Sequence, residues 1–186
     1  FLTFLRSIPA TFIAPILPLF INNLVSNEAF VGYVYVISSI FLLILNFVVT
    51  KLLQKVNKIT MLKIAALIST LSYPILAYIT NIYQFLIIEV FRMFVIAAGY
   101  LVTLLYLREY SSRKTISKNE GLYYTVVNIA WLIGPLAGGF IAEAYGLKEL
   151  FFLSSLSPLI ILALLYVKPL EDMKIKLSKS NNLFKN

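Results

Sequence analysis

Apolar residues run in six stretches of roughly 17 to 27 residues, each followed by a short connector carrying Lys, Arg, Asn or Glu. The stretches lie over roughly 8–25, 30–50, 62–80, 82–107, 121–145 and 149–167. At about 1.5 Å per residue each is long enough to cross a hydrocarbon layer of about 30 Å as a helix. They are continuous, whereas the strands of a membrane barrel alternate polar and apolar positions over about 10 residues. The pattern predicts an all-α membrane protein of six transmembrane helices, with residues 1–168 as the bundle and residues 169–186 as a basic, polar tail. The first stretch contains Pro9, Pro15 and Pro18 and runs on to Asn22 and Asn23, without a small-residue cleavage site. It is expected to be a span and not a cleaved leader.

Composition strengthens this reading. With 60% hydrophobic and 13% charged residues and a mean hydropathy of +0.89, a 186-residue domain has more apolar surface than one core hides, so lipid is its solvent. The net charge of +8 is concentrated at the ends of the stretches. Arg6 precedes the first. Lys51, Lys55, Lys58 and Lys63 follow the second, Arg108, Arg113, Lys114 and Lys118 the fourth, and Lys168, Lys174, Lys176, Lys179 and Lys185 the sixth. The odd-numbered connectors hold only Lys148. By the positive-inside rule both termini face the cytoplasm of a cell membrane, and the basic residues meet anionic lipid headgroups, not nucleic acid. The odd-numbered connectors are also short, which predicts tight antiparallel hairpins.

Absences exclude whole chemistries. A chain without His or Cys has no Ser-His dyad, no His- or thiolate-held metal or haem and no disulfide. No Gly-rich nucleotide loop is present. The chain is therefore expected to be no enzyme, to need no cofactor or metal, and to draw any uphill work from an ion gradient or a separate subunit.

Three motifs stand out. The fifth stretch contains Gly134-Pro135-Leu136-Ala137-Gly138-Gly139, in which Gly134 and Gly138, one turn apart, clear a helix face for close approach and Pro135 frees a carbonyl. The second connector reads Thr50-Lys51-Leu52-Leu53-Gln54-Lys55-Val56-Asn57-Lys58, and the first stretch carries Pro15 and Pro18. Each has a plain reading: a small-residue packing face, a basic loop, a kinked helix. In this order, with Arg92 in the fourth stretch between the second motif and the third, they resemble the major facilitator superfamily of secondary transporters. That family has P-x-x-P on its first helix, G-x-L-x-D-R-x-G-R between the second and third, an arginine in the fourth and G-P-x-x-G-G in the fifth.

The connector is a degenerate match. Leu52, Lys55 and Lys58 keep the apolar and basic positions, whereas Thr50, Gln54 and Asn57 replace Gly, the acid and Gly. Asn57 is expected to take the left-handed backbone that Gly would supply. Gln54 replaces a charge that latches neighbouring helices in the family, so its contacts are expected to be weaker. The resemblance implies a bundle of two inverted three-helix repeats, an idea to which the echo of Leu71-Ser72-Tyr73-Pro74-Ile75-Leu76 in Leu156-Ser157-Pro158-Leu159-Ile160 adds modestly. It also implies one six-helix half, most simply the N-terminal one, of a carrier that moves a small organic solute by alternating access, with coupling to protons. The signature on the fifth helix leans towards efflux by antiport. The second half is expected in the same longer chain or in a dimer partner. A non-transporting six-helix scaffold is the alternative, and a channel is a poorer one, no filter motif being visible.

Arg92 is the leading candidate for function. About ten residues into its stretch it lies near the midplane, where an unpaired charge costs at least about 2.5–3.5 kcal/mol. Glu89 at i−3 shares its helix face and offers a partner. The pair reads either as a water-reached site for cargo or protons or as a structural ion pair. Asn128 and Trp131 share a face of the fifth stretch and read equally as pocket wall or as interhelical filling.

Overall fold

The computed structural model describes residues 2–167, and it is helical throughout. Seven helices follow in order: α1 (Leu2–Ile13), α2 (Leu17–Val25), α3 (Glu28–Leu52), α4 (Lys58–Leu76), α5 (Ile82–Tyr110), α6 (Ile116–Tyr145) and α7 (Leu147–Val167). Helices α3 to α7 are each long and apolar enough to cross a membrane, and α1 with α2 form one further span bent by 41°. The basic tail expected over 169–186, with Lys168, Lys174, Lys176, Lys179 and Lys185, lies outside the described residues.

Prolines account for the bend. Pro15 has no N–H to donate to Thr11, so the helix opens over residues 14–16, where Ile16 N–H bonds to Ile13 O at 3.0 Å in a turn. Pro18 then occupies the first turn of α2, where an N–H would lack a partner anyway. The first span therefore starts at Leu2, six residues before the apolar run, and is interrupted in its middle. The third ends at Leu76 and not at 80, because residues 77–80 unwind ahead of Asn81.

Polar residues punctuate the hairpins. Asn27 and Asn81 cap α3 and α5, their side chains accepting from Phe30 N at 3.3 Å and Gln84 N at 3.0 Å. Gly146, at φ 105°, reverses the chain between α6 and α7 in a conformation that a residue with a Cβ rarely adopts. In the second connector Asn57 has φ −62° and ψ 145°, an extended backbone. The left-handed residue expected there is absent, since α4 begins at Lys58 straight from an extended N-cap that any residue can supply.

Helix packing follows a two-fold pattern. The most extensive contact joins α4 to α7, the helices that bear the sequence echo. Exchanging the first three spans with the last three maps α4·α7 onto itself, α1·α6 onto α5·α3, and α1·α7 onto α5·α4, and all of these pairs are in broad contact. This is the arrangement of two three-helix repeats. The buried core divides into a cluster around Phe20, Tyr73, Phe85 and Phe151, a second around Val49, Met61, Ala98 and Val102, and a third around Leu5, Ala66 and Leu165. Large apolar side chains stay exposed on α3 and α6, Leu43, Phe47, Leu132 and Leu136 among them, as expected where lipid takes the place of water.

Candidate functional site

A cavity of about 320 Å³ lies among α1, α4, α5, α6 and α7. Helical spacing explains its walls. On α1, Arg6 and Ala10 are one turn apart; on α5, Ile96 and Gly99 follow Arg92 at i+4 and i+7; on α6, Tyr123, Val127 and Trp131 repeat every four residues. Tyr73 contributes from α4 and Ile161 from α7.

The same stripe of α6 continues into the glycine motif. A Cβ on Gly134 would collide with the Thr11 side chain, and one on Gly138 with the Phe12 backbone, so both glycines bring α1 against α6. Gly139 has nothing within 4 Å of such a Cβ and takes no part in that contact. Pro135 is half-buried within a helix that continues through it. Pro15 is exposed at the break of the first span and Pro18 half-buried just after it.

Glu89 and Arg92 are buried at 3% and 8% exposure and pair through Glu89 Oε2 and Arg92 Nη1 at 2.5 Å. Neither lines the cavity. The guanidinium lies over the ring of Tyr73, 5.9 Å from its centroid, and Tyr73 itself borders the cavity. One aromatic residue thus separates the ion pair from the open space. Arg92 Nε is buried without a hydrogen-bond partner.

The structure separates the other predicted neighbours. Trp131 borders the cavity, whereas Asn128, one turn before it, is exposed on another part of α6. In the second connector Gln54 and Lys55 are exposed, and Lys58 is buried. Lys58 pairs with Glu109 near the end of α5 and sits over the Tyr106 ring, 5.0 Å from its centroid. The ion pair found at this connector thus joins Lys58 to an acid of α5 and does not involve Gln54.

Arg6 was legible in the sequence only as a flanking charge, and the fold turns it inward. Its Nη2 donates to Tyr123 Oη at 3.1 Å, across 117 positions of sequence. Its side chain fills the place a Cβ on Gly99 would need. The one local signal for this role is that the helix starts before Arg6 and places it a turn inside its N-terminal end.

No curated protein matches the chain. The sequence profile described as Major Facilitator Superfamily matches residues 1–183. That match covers nearly the whole sequence and agrees with the helical bundle, its two-fold packing and the order of its motifs. The chain belongs to the Major Facilitator Superfamily.

Proposed function

We propose that this membrane transporter is a proton-coupled carrier of a small organic solute, working by alternating access, with export as its direction. The observation that carries the reading is the single Tyr73 side chain shared by a buried Glu89–Arg92 pair and a solute-sized cavity. Glu89 is the one acidic side chain fully buried among the described residues. A carboxylate in such surroundings, held by a cation on its own helix, is suited to exchange a proton as neighbouring helices move. The glycine face of α6 supports motion, because flat contact with α1 lets helices slide without unlocking large side chains. The direction rests on the G-P-x-x-G-G signature alone. A second six-helix bundle, from the same longer chain or from a partner, is proposed against α3 and α6, whose faces are the least covered of the spans.

Labelling tests the reading. In the full-length protein, a single Val127→Cys on the cavity wall is expected to react with a membrane-impermeant maleimide from either side of the membrane in vesicles of opposite orientation. Labelling from one side only, in all conditions, would overturn alternating access and favour a non-transporting scaffold.

A further inference from the structure

The cavity carries a positive charge that no acidic side chain among the described residues balances. Arg6 faces it and uses one guanidinium donor on Tyr123 Oη, while its Nε is buried and donates to no protein group. No acidic residue lines the space, and neither ion pair of the described residues includes Arg6. A partly buried guanidinium with an unused, buried Nε donor favours an anion, since charge-assisted hydrogen bonds are the stronger kind. Gly99 and Tyr123 hold the side chain from two sides, so the charge is fixed in place.

The remaining wall is largely apolar or aromatic, with Ser7 and Ser69 adding hydroxyls. Tyr73, Tyr100 and Trp131 offer rings, and Pro9, Ala66 and Ile161 offer aliphatic surface. A volume of about 320 Å³ falls at the lower end of small-molecule sites, which span about 300–1,000 Å³. We infer that the cavity binds a small amphipathic organic anion, its carboxylate on Arg6 and its apolar body between Trp131 and Tyr100. This rests on the carrier reading above and names the chemical class of its solute. A cation meets repulsion there, and a neutral isostere leaves Arg6 without a counter-charge.

The test is equilibrium binding of radiolabelled phenylacetate to the purified full-length protein in nonionic detergent, with Trp131 on the cavity wall as a local fluorescence reporter. Saturable binding is expected, displaced by phenylacetate at concentrations where phenylacetamide and phenethylamine have no effect. Arg6→Gln is expected to weaken it at least about tenfold, and Arg6→Lys by less. Gly99→Ala keeps the charge but displaces the Arg6 side chain, so it too is expected to weaken binding. Trp131→Phe is expected to diminish the ligand-dependent change in emission. Absence of saturable binding, equal competition by the amide, or unchanged affinity in both Arg6→Gln and Gly99→Ala overturns the inference. Displacement of phenylacetate by phosphatidylglycerol but not by phosphatidylcholine assigns the cavity to a lipid headgroup and overturns it as well. Binding is read in detergent and labelling of Val127→Cys in vesicles, so loss of the one leaves the other interpretable.

Discussion

Arg92 and Glu89 are buried in protein on one face of α5 and pair with each other. Removing one partner of a buried pair leaves an uncompensated charge, at a cost of about 3–5 kcal/mol. Glu89→Gln is therefore expected to lower the unfolding temperature in detergent markedly, and Glu89→Gln with Arg92→Met to recover much of the loss. If Glu89 also carries the proton, the single variant abolishes pH-dependent transport, and intact pH dependence would remove that role. This pair was legible in the sequence because two charges in an apolar run must meet something, and i, i+3 spacing puts them within reach. Arg6 was not, because an arginine at the end of an apolar run has the same appearance whether it snorkels to headgroups or turns inward. Tyr123, its partner, is 117 positions away.

Among the helices, the contact of α1 with α6 shows how a motif becomes geometry. Gly138 lies against the Phe12 backbone, which has no flexible end to move aside. Gly138→Val is expected to force the helices apart and destabilise the protein by about 1–3 kcal/mol. Gly139→Ala, facing open space, is expected to be neutral or slightly stabilising, as the gain in helix propensity predicts. Thermal unfolding of the two variants in the same detergent distinguishes the residues of the motif. The spans and the proline break could be read from the chain, since both follow from hydropathy and a missing N–H. The glycine face of α6 could be read as well, but not that α1 meets it, nor which other side of α6 borders the cavity. The helix is apolar nearly all round, and where lipid is the solvent polarity does not mark the buried side. Asn128 and Trp131 illustrate this: they are one turn apart, and only Trp131 reaches the cavity.

At the scale of the whole molecule, the bundle is a multi-pass integral membrane protein of the Major Facilitator Superfamily whose helix contacts repeat under a two-fold exchange. The basic connectors predict that both termini face the cytoplasm. A Cys at Lys55 is expected to be protected from an impermeant maleimide in intact cells, and one at Lys148 to react. The opposite pattern would invert the topology. The break at residues 14–16 has a mechanical consequence, because the two parts of the first span differ in their main neighbours. The α1 segment is held by α6 and α7, and α2 by α3 and α5. A displacement of α6 is therefore expected to move the segment bearing Arg6 and to bend the span at that turn, as at a universal joint between two shafts.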